Sequence, residues 1–502
     1  MEDLLKQTAK GSAIVFAGIF AGSIMRYLAY ILFARLLGPG DYGLISLGLA
    51  LIGILGMLSL FGLTKGVPRS IAFHKNKDIT RGIIKTALKY SLSISISIAV
   101  LLLLFSTQIS QYFNTGFMEV LPFFAIALPL YVFVELSASV FRGIKKFNYK
   151  VYVREILFSS VLLIVFSVLY VFGMGIYSAL FAVVLSYLIP SIISYLLIQK
   201  EINLFGKTEY ISKELLKLSV PLLLASFFFL IIRWSDVIIL GIFRTSEYVG
   251  IYNAALPTAM ALTVVITAVG FVFLPIASEL FSKRKINDLN SLYSTTTRWL
   301  FIAAFPMFLI MLIFPSQIIR IIFGDAYVAA GMSLAILSIG SMVNIATGLV
   351  GILLVVMNEP KLVVISGSFA AILNIILNLT LIPIYGMIGA AVSTTICMSA
   401  VNISMMYFVR KRLKNPYNIQ YLKHIFAALI PAFLVYLIAR IFFEAIPLYI
   451  KIIGFVAYIL LYALLTIILK GITKEDIIIL KSIEKKTGFK ITPLRNFIKK
   501  FI

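Results

Sequence analysis

The chain has 502 residues, of which 61% are apolar, 13% aromatic and only 13% charged; soluble domains carry about 25% charged residues, so a water-soluble globule is excluded. Its 44 Lys and Arg against 20 Asp and Glu give a net charge of +24, which in a soluble protein would point to nucleic acid and in a membrane protein to the positive-inside bias of cytoplasmic loops. One cysteine, Cys397, and two histidines, His74 and His424, exclude an intrachain disulfide and a His/Cys metal cluster.

In chain order, apolar runs at about 11–35, 43–64, 85–106, 118–141, 155–173, 175–198, 217–243, 248–275, 296–315, 327–357, 362–384, 386–409, 422–443 and 448–470 predict fourteen membrane-spanning helices. Gly38-Pro39-Gly40-Asp41, Gly173-Met174-Gly175 and Pro383-Ile384-Tyr385-Gly386 are helix-breaking turns between runs. The first run follows Glu2 and Asp3 and lacks a small-x-small cleavage site, so it reads as a retained helix and not as a signal peptide. With the N-terminus inside, 37 of the 44 Lys and Arg fall in inner segments. Arg35, Arg244, Arg320, Arg440 and Lys451 fall in outer loops, and Arg26 and Arg233 lie within spans. This asymmetry places both termini in the cytoplasm and removes the nucleic-acid partner. Residues 471–502 carry a capping-box pattern at Thr473-Lys474-Glu475-Asp476. After Pro493, Leu494, Phe497, Ile498 and Phe501 recur at helical spacing between basic residues, which predicts a cytoplasmic amphipathic helix on the membrane surface.

The chain also matches itself at an offset of 207 residues, which pairs Lys10 with Lys217, Ser12 with Ser219, Arg26 with Arg233, Gly43 with Gly250 and Pro68 with Pro275. Both intramembrane arginines precede an aromatic residue, Tyr27 and Trp234. Spans 1–6 therefore correspond to spans 7–12. Residues 1–198 are expected to form an N-lobe, 199–216 a cytoplasmic linker, 217–409 a C-lobe and 410–470 two appended helices. Six is even, so both repeats enter from the same side and the pseudo-two-fold axis runs along the membrane normal. The expected fold is thus an all-α integral membrane protein with two six-helix lobes plus helices 13 and 14, and a site between the lobes near mid-membrane.

Three segments carry a resemblance. Ala34-Arg35-Leu36-Leu37-Gly38-Pro39-Gly40-Asp41-Tyr42-Gly43 closes the first span, Arg142-Gly143-x-x-Lys146 the fourth, and Asn358-Glu359-Pro360-Lys361 follows the tenth. In this order and spacing the chain resembles, over essentially its whole length, the polysaccharide biosynthesis flippases of the multidrug/oligosaccharidyl-lipid/polysaccharide exporter superfamily. The resemblance implies two six-helix lobes, a central cavity, and movement of a lipid-linked saccharide from the cytoplasmic to the outer leaflet of the plasma membrane by alternating access. It is expected to act as a monomer, with membrane lipids and the lipid-linked saccharide as its partners.

Arg26 and Arg233 lie roughly six to ten residues from their helix ends, about 9 to 15 Å, beyond easy snorkelling. Such charges are costly unless they face a wet cavity or a partner. One arginine on each lobe makes a clamp suited to phosphate or pyrophosphate, since guanidinium donates paired hydrogen bonds to anionic oxygens. Glu135 in span 4 and Asp236, one turn from Arg233, are expected either to neutralise an arginine or to bind a coupling H+ or Na+ as buried carboxylates. Asn374 and Asn378, four apart on span 11, suit interhelical hydrogen bonds or contact with sugar hydroxyls, and Tyr30 and Trp234 could stack on sugar rings. The expectation is a non-enzymatic flippase without cofactor or resident metal. Gly206-Lys207-Thr208 mimics the end of a phosphate-binding loop, but Glu201 stands where its first glycine belongs. The alternatives are a cation-coupled multidrug exporter, disfavoured by the basic cavity, and a membrane glycan polymerase or ligase, disfavoured by short outer loops.

Overall fold

The computed structural model describes residues 2–74, 76–113, 116–209, 212–413, 427, 429 and 448–468. Apart from residues 427 and 429, the expected thirteenth span at 422–443 lies outside the described residues, as does the expected tail helix from Thr473 to Ile502. Among the described residues there is no strand, and ten helices are long and apolar enough to cross a membrane.

The first two apolar runs form two helices that meet at a kink at Gly38, together called α1 (Glu2–Leu60). Gly38 adopts φ 83° and ψ 171° ahead of Pro39, a region open essentially to glycine alone. Helices α2 (Leu63–Phe73), α3 (Lys77–Leu104), α4 (Ser106–Tyr112) and α5 (Phe117–Gly143) follow. The Asn76 side chain caps α3 by accepting from the Asp78 amide at 2.8 Å. Next comes a composite span, α6 (Phe147–Val151), a π-helical turn Tyr152–Leu157, and α7 (Phe158–Val171). The helical stretch runs Phe147–Val171 and does not begin at residue 155, so Arg154, expected in an inner segment, stands in a helix and not in a loop. The charged pair Arg154-Glu155 made the head of this span look like a connection.

The remaining helices are α8 (Ile176–Glu201), α9 (Ser212–Phe243), α10 (Ser246–Met260), α11 (Val264–Ser282), α12 (Ile286–Ile313), α13 (Pro315–Phe323), α14 (Gly331–Thr347), α15 (Val350–Val356), α16 (Pro360–Tyr385), α17 (Met387–Arg412) and α18 (Leu448–Ile468). Two expected runs are interrupted. The run at 248–275 is broken by a 3-10 turn at Ala261–Thr263, and the run at 327–357 by Gly348.

The helices divide into two compact units, one of Met1–Thr258, Ser316–Leu337 and Val364–Val401, the other of Ala259–Pro315, Ser338–Val363 and Asn402–Ile502. In the first, α5 packs against α1, α2, α3 and α8, and α9 against α1 and α2. Phe117, Phe124, Leu128 and Phe141 of α5 are fully or almost fully buried there. α1 and α10 meet backbone to backbone at Gly43 and Gly250, and the approach is reciprocal: Gly43 lies against the Ser246 carbonyl, Gly250 against that of Pro39. In the second unit, α11 packs on α12 and α15.

Prolines inside these helices free carbonyls that other helices then use. Pro68 cannot donate to the Thr64 carbonyl four residues back; Arg142 of α5 donates to that carbonyl instead, at 2.8 Å. Pro306 likewise frees Ile302 in α12, and the Tyr462 hydroxyl of α18 donates to the Ile302 carbonyl at 3.0 Å. In an apolar solvent such replacement matters, because an unpaired backbone group has no water to fall back on.

Candidate functional site

Gly18 and Gly22 stand one turn apart on α1 and face Val151 and Glu155 on the composite span. A Cβ at Gly22 would lie 2.6 Å from the Glu155 carbonyl oxygen, so only glycine permits this approach. One turn further along α1 is Arg26, which the close packing delivers to Glu155. The Arg26 Nη2 donates to Glu155 Oε2 at 2.6 Å, and the guanidinium lies 5.5 Å from the Phe158 ring centroid.

Glu155 is shared. Its other oxygen, Oε1, accepts from Arg154 Nη1 at 2.6 Å, while Arg154 Nε donates to Glu135 Oε1 at 2.6 Å. The π-helical turn makes this sharing feasible: its wider winding places two consecutive residues, Arg154 and Glu155, toward partners on α5 and α1. The result is a chain of alternating charge, Glu135, Arg154, Glu155, Arg26, with no net charge. Tyr131 and Tyr187 pack edge to face beside it, with ring centroids 5.5 Å apart.

Arg233 stands apart from this chain. It is exposed, its guanidinium lies 5.4 Å from the Trp234 ring centroid, and among the described residues it has no ion-pair partner. Tyr30 lies within electrostatic reach of both Arg26 and Arg233, and Tyr131 within reach of Glu135, Arg154 and Arg233. The Trp234 indole Nε1 sits against Gly53 of α1.

Asp236 faces elsewhere. It is fully buried, and its carboxylate accepts from the Tyr252 hydroxyl at 2.5 Å, the Val237 amide at 2.8 Å and the Thr394 hydroxyl at 3.2 Å. The expectation that Asp236 neutralises an arginine is therefore corrected: hydroxyl and amide donors hold it. Glu135 is paired, but with Arg154 and not with Arg26 or Arg233. Asn374 and Asn378 are fully buried and form an interhelical network. Ser235 donates to Asn374 Oδ1 at 2.6 Å, and Asn378 Nδ2 reaches Ser235 Oγ at 3.2 Å and Asn374 Oδ1 at 3.1 Å. Asn374 Nδ2 also donates to Ser393 Oγ at 3.4 Å. In this conformation the two asparagines bind helix to helix.

Arg154, Glu155, Tyr131 and Tyr187 were missed from sequence. A signal for the first two was present: a carboxylate entering an apolar run requires a cation, and Arg154 stands beside Glu155 in the chain. Nothing in the sequence marks which of the 25 tyrosines flank the site.

The description of polysaccharide biosynthesis proteins matches residues 32–331, more than half of the chain. The chain belongs to this polysaccharide biosynthesis protein family. The family assignment agrees with the resemblance carried by Ala34 to Gly43, Arg142-Gly143-x-x-Lys146 and Asn358 to Lys361. A second description, that of the lipid II flippase MurJ, matches residues 235–460. Among curated relatives, a probable low-salt glycan biosynthesis flippase, Agl15, from Haloferax volcanii is 28% identical over 405 residues, covering 78% of this chain and 81% of that protein. A putative O-antigen transporter from Shigella flexneri is 23% identical, covering 72% of this chain and 88% of that protein. Of solved structures, the inward closed conformation of the lipid II flippase MurJ superposes with a TM-score of 0.70 at 18% identity, covering 93% of this polysaccharide biosynthesis protein and all of that chain. That likeness is one of fold.

Proposed function

We propose that this polysaccharide biosynthesis protein is a membrane flippase for a lipid-(pyro)phosphate-linked oligosaccharide, moving it from the cytoplasmic to the outer leaflet of the plasma membrane by alternating access. The observation that carries the proposal is the exposed guanidinium of Arg233, placed within an apolar run and without an ion-pair partner among the described residues. An exposed guanidinium at that depth is costly unless an anion visits it. A lipid-linked phosphate is such an anion, and the flippases and transporters named among the relatives support that substrate class.

The architecture that goes with this function has fourteen spans, an N-lobe of residues 1–198 and a C-lobe of residues 217–409 joined by the linker at 199–216, helices 13 and 14 within 410–470, and both termini in the cytoplasm. The reciprocal contact of Gly43 and Gly250, which are repeat-related at the offset of 207, supports a pseudo-two-fold relation. Asp236 or Glu135 serves the return step by taking H+ or Na+. Asp236→Asn and Glu135→Gln should then keep headgroup binding and lose the response to a pH or Na+ gradient; an unchanged response in both leaves Glu135 its pairing with Arg154 and Asp236 its hydroxyl and amide contacts only. Transport of a lipid-linked oligosaccharide by folded, membrane-inserted Arg26→Ala and Arg233→Ala tests the main proposal. Strong loss in both supports it, and near-normal activity in both overturns it.

A further inference from the structure

The alternating chain of charges has two ends, and they differ. At one end Glu135 is held by Arg154. At the other Arg26 is held by Glu155 through a single terminal nitrogen, and its Nε is buried without a hydrogen-bond partner. The Arg26 side chain is 29% exposed, whereas that of Glu155 is 5% exposed. Arg26 therefore has exposed surface for a second anionic oxygen, and its buried Nε is a further donor that becomes available once the side chain swings away from Glu155. Arg154 holds two carboxylates, and removing it would strand Glu135, which has no other ion-pair partner among the described residues. Removing Arg26 from Glu155 strands neither group, because Glu155 keeps Arg154 and an incoming anion takes Arg26.

We propose that Glu155 is the resident counter-ion of the headgroup site. It neutralises Arg26 while the site is empty and yields it to the phosphate of the lipid-linked saccharide when substrate arrives, falling back on Arg154. The empty site thereby avoids an unpaired buried cation. The exchange also selects: a neutral or cationic molecule has nothing with which to displace a carboxylate, so the pair rejects it while admitting an anion. Glu155 acts here through Arg26 and is a positioning and specificity residue. Arg233, unpaired among the described residues, makes the first contact, and Arg26 engages second.

The inference rests on the assignment of Arg26 and Arg233 to the headgroup site, and the two are separable by experiment. The full chain in phosphatidylcholine nanodiscs is titrated with farnesyl diphosphate and, as the uncharged counterpart, farnesol. Glu155→Gln removes the competing charge and should bind farnesyl diphosphate about 10-fold or more tightly, the worth of one charge-assisted hydrogen bond regained, with farnesol unchanged. The gain should vanish in Arg26→Ala/Glu155→Gln. Glu155→Asp, whose shorter arm weakens the pair while keeping Arg154 engaged, should give a smaller gain of the same sign and serves if the glutamine variant does not fold. Equal or weaker binding by folded Glu155→Gln, with Arg233→Ala still impaired, overturns the counter-ion and leaves the headgroup site standing. A gain that persists without Arg26 also overturns it. Unaltered binding in both Arg26→Ala and Arg233→Ala removes the headgroup site itself.

Discussion

Arg233 and Asp236 are one helical turn apart and serve different ends. The guanidinium is exposed, while the carboxylate is sealed among Tyr252, Thr394 and the Val237 amide. A charge-assisted hydrogen bond is worth about 1.5 to 3 kcal/mol, so Arg233→Ala should weaken binding of a lipid diphosphate headgroup by roughly 10- to 150-fold. Arg233→Lys should recover part of the loss through charge without the planar fork; titration with a prenyl diphosphate checks both. Tyr252→Phe takes the shortest donor from a buried carboxylate and should lower stability by about 1 to 3 kcal/mol, read from thermal unfolding in detergent, with headgroup binding retained. At this scale the sequence was informative where a charge stood alone in an apolar run, as at Arg26 and Arg233. It was uninformative where charges clustered at the head of a run, as at Arg154 and Glu155, because a loop and a wet span entrance have the same composition. It also favoured an ion pair for Asp236, since hydroxyl donors from α10 and α17 are brought in only by tertiary packing.

The packing of α1 on the composite span depends on the absence of side chains at Gly18 and Gly22. Gly22→Ala places a methyl against the backbone of Glu155, where no rotamer change relieves the clash. The helices must separate, and the Arg26 to Glu155 pair lengthens with them. The expected result is a loss of about 1 to 3 kcal/mol from overpacking, measured by thermal unfolding. Tyr462→Phe strips the carbonyl freed by Pro306 of its donor and should cost about 1 to 3 kcal/mol by the same measurement. Helices were legible as apolar runs, and Gly38-Pro39 as a break. What the runs concealed was interruption: Gly348 and the turn at Ala261–Thr263 divide runs that looked whole. Both of these interruptions lie inside apolar sequence, so hydropathy alone does not mark them.

For the molecule as a whole, the bias of basic residues predicts a topology that the cysteine content makes testable. Cys397 is the one cysteine and is buried. After its replacement by serine, Cys introduced at the exposed Asn76 should stay unlabelled by an impermeant thiol reagent in intact cells and react once the membrane is opened. Labelling in intact cells would invert the orientation. The class of molecule was legible from composition and its family from three short motifs, because turn residues and loop charges are local features. The ion-pair chain was not, since it joins residues as far apart as 129 positions. The stacking of Arg233 on Trp234 has a practical use. The chain has two tryptophans, Trp234 and Trp299, so Trp299→Phe leaves a single intrinsic fluorophore with a cation over its ring. An anion that draws the guanidinium away relieves that contact and should shift the emission, giving the protein a built-in optical gauge of site occupancy that needs no label.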